Sequence, residues 1–150
     1  MGQSVELNAP TGSYTLGEEM PLNDAMARKA QADMALERAA LQLRQLLEEA
    51  AKQLRPFPPF PGAFFTNAIE VESEAAADPE RGCVVVCEDG ELYELKISID
   101  FSDDQADPVQ ARDEKLTKLE DLHPRDYVLL AYEALTRVTE HLLERTEAHG

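Results

Sequence analysis

The amino-acid sequence predicts an α+β fold: a long N-terminal helix, a three-stranded antiparallel meander and a C-terminal helix, packed as two layers. Three observations predict it. From Asn23 to Leu54 the chain holds no Gly or Pro and consists mostly of Ala, Leu, Glu, Gln, Arg and Lys, all strong helix formers. Two runs rich in β-branched residues then flank Asp89-Gly90, the dipeptide that closes tight hairpins. After Pro124 the apolar residues return at helical spacing.

Residues 1–22 mix Gly, Pro, Asn and Ser with scattered single apolars and show neither period, which reads as a flexible arm preceding one α+β domain over 23–150. Asn23 or Asp24 caps the first helix. In its second half Leu36, Ala40, Leu43, Leu47, Ala50 and Leu54 recur at spacings of three and four, a heptad seam. Leu36, Leu43, Leu47 and Leu54 are thus the expected dimer or partner seam, with Leu41 and Leu46 widening it. Lys29 and Asp33 occupy the seam positions of the first half, so the stripe weakens there.

Pro56 to Gly62 ends the helix and reads as a stiff extended spacer, because consecutive prolines remove donors and fix φ. Phe65, Ile69 and Val71 then alternate with polar or small residues, predicting a strand. Cys83 to Glu88 and Glu91 to Phe101 follow as a hairpin. A two-residue type I′ turn at Asp89-Gly90 pairs Val86 with Tyr93 and Val84 with Leu95, and so collects Val84, Val86, Tyr93, Leu95, Ile97, Ile99 and Phe101 on one face. Residues 102–115 read as an acidic loop, and Leu116, Leu119 and Leu122 predict a short helix over 115–122. Pro124 at the first helical position and Asp126 near the positive end of the dipole start the last helix, which carries Val128, Ala131, Leu135, Val138 and Leu142 to about Arg145.

The charge is uneven. The chain carries 14 basic and 30 acidic residues, a formal net charge of -16, which disfavours direct binding to nucleic acid or anionic membrane. Residues 23–55 hold six basic against five acidic side chains, whereas residues 56–107 hold two against thirteen. Glu70, Glu72, Glu94, Asp100, Asp103 and Asp104 form the expected acidic surface. Such a surface steers a basic partner, although a charge run is more often a solubilising surface.

No apolar stretch reaches membrane-spanning length and the N-terminus lacks a secretory signal pattern, so a cytoplasmic protein without membrane contact is expected. Cys83 and Cys87 stand four residues apart on one strand, about 13 Å in projection, which excludes a disulfide between them and suits a reducing compartment. Their acidic setting raises thiol pKa and favours structural roles.

Candidate chemistry is sparse. Asp100, Asp103, Asp104 and Asp107 offer carboxylates without EF-hand spacing. Glu120 and His123 share the i, i+3 spacing of bundle metal sites, but in a single copy. His141 reads as a solvated helix residue. Arg55, Pro58 and Pro61 match a short proline-rich ligand pattern that the spacer role also explains. No nucleophile motif or phosphate loop is present, and no cofactor or metal is expected. The expectation is a non-enzymatic, homodimeric interaction protein, an adaptor, chaperone-like or assembly factor, that meets a protein partner through an acidic surface. Two alternatives are a polyanion mimic that inhibits a basic protein and a divalent-metal enzyme or sensor built on the aspartate cluster.

Overall fold

The computed structural model describes residues 22–74, 82–99 and 112–149. Asp100, Phe101, Asp103, Asp104 and Asp107 lie outside them, and so do most of the N-terminal arm and most of the acidic loop. The fold is α+β, with helix α1 (Leu22–Gln53), strands β1 (Ile69–Glu70), β2 (Cys83–Val86), β3 (Leu92–Ile99) and β4 (Arg112–Lys118), and helix α2 (Pro124–His149). The sheet is antiparallel in the order β1-β2-β3-β4, so it has four strands where the sequence predicts three.

The chain divides into two units inside α1, Met1–Ala35 and Leu36–Gly150. Among the described residues of the first unit, only Asp33 is partly covered, and it pairs with Lys29 at 2.8 Å. That stretch is helical through its composition and its continuity with the next turns.

In the second unit α1 buries Leu47, Ala51 and Leu54 completely. It ends where Arg55 turns back on it: the guanidinium donates to the carbonyls of Ala51 (2.8 Å) and Leu54 (3.1 Å) and to Glu88 O in the hairpin turn (3.2 Å). This satisfies carbonyls that a helix C-terminus leaves open. α2 starts at a histidine cap, with His123 Nδ1 accepting from Arg125 N (3.1 Å) and His123 O accepting from Tyr127 N (2.9 Å). Its buried face is Tyr127, Leu130, Ala131, Ala134 and Val138.

The hairpin differs from its expected form. Within the turn Gly90 alone has positive φ (+80°), and among the described residues no non-Gly residue does, so the turn is not type I′, which needs two such residues. Cys87 instead pairs with Glu91 (Cys87 N to Glu91 O, 3.2 Å) around a three-residue loop, with Gly90 N donating to Cys87 O (2.9 Å). This loop shifts the register by one: Val86 faces Leu92, Val85 faces Tyr93, and Val84 faces Glu94. A one-residue shift exchanges the faces. Val84, Val86 and Leu92 therefore join Ile69, Val71, Phe57 and the helices in one core. Leu95, with Tyr93 and Ile97 beside it, joins Val85, Cys87, Ala68 and Phe60 in a second core on the opposite face.

The proline segment connects these cores. Phe57 packs on the helix-covered face and Phe60 on the other, so the chain passes from one face of the sheet to the other. Phe60 N donates to Thr66 O (3.0 Å) and Pro59 bridges Asn67, which folds residues 59–67 back over the second face. The short helix expected over 115–122 is absent. Residues 112–118 pair with β3 from Ile99–Arg112 to Tyr93–Lys118, and the ladder overrides a helical spacing that rested on three leucines.

Candidate functional site

On the second face Ile97 lies opposite Glu114, Ile99 opposite Arg112 and Leu95 opposite Leu116. Glu114 is the hub of this region. Its side chain is 3% exposed and accepts hydrogen bonds from Phe64 N (2.6 Å), Phe65 N (3.1 Å), Thr66 Oγ1 (2.8 Å) and Arg112 Nε (3.2 Å). Arg112 also donates to Gly62 O. Burial opposes ionisation of Glu114, but these donors outweigh it and hold the carboxyl below the usual range.

The locked loop places two aromatic rings in water. Phe64 is 54% exposed and Phe65 67%. The rings meet edge to face at 6.2 Å, and the Arg112 guanidinium lies 4.6 Å from the Phe64 ring centre. Ile99 and Leu116 are also exposed on this face. Two exposed aromatics and an arginine are thus held in place by a buried carboxylate.

A second ionic cluster lies where α1 meets the hairpin. Arg44 pairs with Glu91 at 2.8 Å and sits 4.8 Å over the Tyr127 ring, and Lys118 lies 3.9 Å from Glu91. Burial, followed by a hydrogen bond with Glu48, raises Glu91 despite the attraction of Arg44 and Lys118. The buried Tyr127 hydroxyl has no hydrogen-bond partner among the described residues. This arrangement joins α1 to the hairpin, β4 and α2.

A cleft of about 320 Å³ opens between the proline segment, β1 and α2, lined among others by Glu70, Glu72, Arg137 and His141. Arg137 stands 3.9 Å from Glu72 and 3.8 Å from Glu140, and its buried Nε has no hydrogen-bond partner among the described residues. Cys83 is exposed and Cys87 buried, both as free thiols. Burial, then the charges of Asp89 and Glu88, push Cys87 up to about 12, which leaves it unreactive at neutral pH.

The expected seam residues Leu43, Leu47 and Leu54 meet in one core. Leu47 and Leu54 are fully buried in the chain's own core, Leu43 packs against that core, and Leu36 is half-buried. Of the expected acidic residues only Glu70, Glu72 and Glu94 are described. Glu70 faces Val85 and Glu94 faces Val84, which puts them on opposite sides of the sheet, and Glu94 accepts from Gly82 N (3.1 Å). Glu72 reaches toward Arg137. Among the described residues no three His, Cys, Asp or Glu side chains are grouped to hold a metal, and no helix is long and apolar enough to cross a membrane.

Sequence reasoning missed Phe64, Arg112 and Glu114 and placed Phe65 in a strand. The signal available was the Phe64-Phe65 pair one residue after the Pro61-Gly62 turn. No known protein family, curated protein or solved structure matches the chain.

Proposed function

We propose that this chain is a non-enzymatic partner-binding protein of the adaptor or assembly-factor kind, and that it docks its partner on the second sheet face at Phe64, Phe65 and Arg112. The observation that carries this reading is the Glu114 lock. Burying a phenylalanine is worth about 1.5–3 kcal/mol, yet a buried carboxylate with four donors holds two of them out in water. Rigid presentation lowers the ordering cost of binding. The net charge of -16 favours a partner of basic overall charge, which it draws in at low ionic strength.

The test is a Phe64→Ala/Phe65→Ala double variant. Its rings are largely exposed, so its stability should stay within ~0.5 kcal/mol of the parent in urea unfolding. Quantitative co-purification from the native host should lose the specific partner that the parent chain recovers. Equal recovery of every specific partner by the two proteins would remove this surface from consideration.

A further inference from the structure

Among the described residues β4 is an edge strand of the sheet. Leu119 N donates to Leu92 O (3.0 Å), so the backbone groups of Asp113, Lys115 and Thr117 also turn toward β3. By the same alternation those of Arg112, Glu114, Leu116 and Lys118 turn outward. Among the described residues no strand pairs with them. We infer that this edge pairs antiparallel with the same edge of a second copy, with Leu116 on the two-fold axis. The inference goes beyond the partner-binding reading and stands without it.

An antiparallel two-fold lies normal to the sheet and preserves its faces, so only registers in which a residue meets its own copy are allowed. With Lys115 on the axis, lysine meets lysine and Arg112 meets Lys118. With Glu114 on the axis, carboxylates meet and the two Phe64–Phe65 loops converge. Asp113 on the axis opposes aspartates, and Thr117 on the axis opposes Asp113 to Asp121 and Glu114 to Glu120. Only Leu116 brings no like charges together. It sets Leu116 against Leu116, Glu114 against Lys118 twice, and Lys115 against Thr117 twice.

This register forms six outward backbone hydrogen bonds, two at each facing pair of Leu116 or of Glu114 with Lys118. It keeps the loops anchored on Glu114 at opposite ends of the paired strands. Leu116, 41% exposed in one copy, becomes covered. Lysines on a strand edge ordinarily discourage pairing, but here neither Lys115 nor Lys118 meets a cation. Strand β4 itself carries three basic residues against two acidic ones, so the copies approach on a locally basic element of a strongly acidic chain. The four phenylalanine rings then share one face of an eight-stranded sheet.

Light scattering after size exclusion, from ~1 to ~100 µM, should give twice the 16.7 kDa chain mass. Leu116→Lys places like charges on the axis and should give a monomer with an unchanged circular dichroism spectrum. In a Cys83→Ser background, Leu116→Cys should form a disulfide-linked dimer on mild oxidation, because hydrogen-bonded partners stand about 5.5 Å apart at Cα. Lys115→Asp, which faces Thr117 in this register, should remain dimeric. A monomer throughout the concentration range overturns the inference, and so does a dimer that neither Leu116→Lys disrupts nor Leu116→Cys cross-links. If Leu116→Lys fails to fold, the cysteine variant decides alone.

Discussion

Two carboxylates titrate in opposite directions, and the difference follows from their donors. Glu114 has four, and its pKa falls; at Glu91 partial burial and the hydrogen bond with Glu48 outweigh Arg44 at 2.8 Å and Lys118 at 3.9 Å, and its pKa rises. A lowered carboxylate stabilises the fold above its unfolded value of about 4.3, and that contribution is lost as pH falls through the folded value. A raised one works the other way, its contribution being lost as pH rises through the folded value. The stability of the parent chain relative to Glu114→Gln should therefore be greatest near neutrality and shrink as pH drops below about 4.3. Urea unfolding of both proteins at several acid pH values checks this. A difference that stays constant with pH would mean that Glu114 holds the loop by shape alone. None of this was legible in the sequence, because Glu114 sits in a run of charged residues and gains its donors from residues about fifty positions away.

At the scale of elements, the helices were legible and the sheet only in part. Composition determines α1, which starts at Leu22 so that Asn23 and Asp24 lie inside it and do not cap it, and Pro124 marks the start of α2. The hairpin was legible as a hairpin, but its register depended on whether the loop holds two residues or three. Asp-Gly is compatible with both, and α1 decides the matter: a Cβ on Gly90 would stand 2.6 Å from the Glu48 Cα. Strand β4 was not legible, since Leu116 is its only apolar residue and the pairing with β3 supplies the rest. Gly90→Ala meets both the helix backbone and a φ of +80°, and should cost at least ~2 kcal/mol. Its unfolding midpoint in urea measures the effect, and a loss below ~0.5 kcal/mol would show that the turn can move off α1 freely.

For the whole molecule, the charge was legible from composition while its arrangement was not. Glu70 and Glu94 fall on opposite sides of the sheet, because the register that determines their faces lies beyond composition. What survives is a net charge of -16 on 150 residues, a long-range repulsion that opposes compaction. Salt acts on this repulsion and on the attractive pairs unequally. Exposed charges separated by more than about 10 Å are largely screened at 0.1 M, whereas the Arg112–Glu114 pair is 13% and 3% exposed and is screened far less. Raising NaCl from ~0.01 to ~0.5 M should therefore raise the melting temperature by a few degrees. Calorimetry at fixed pH and protein concentration measures this, with the Leu116→Lys variant run alongside so that any gain from strand pairing is separated from screening within one chain. A melting temperature that falls with salt in both proteins would show that attractive surface pairs outweigh the net acidity of the folded chain.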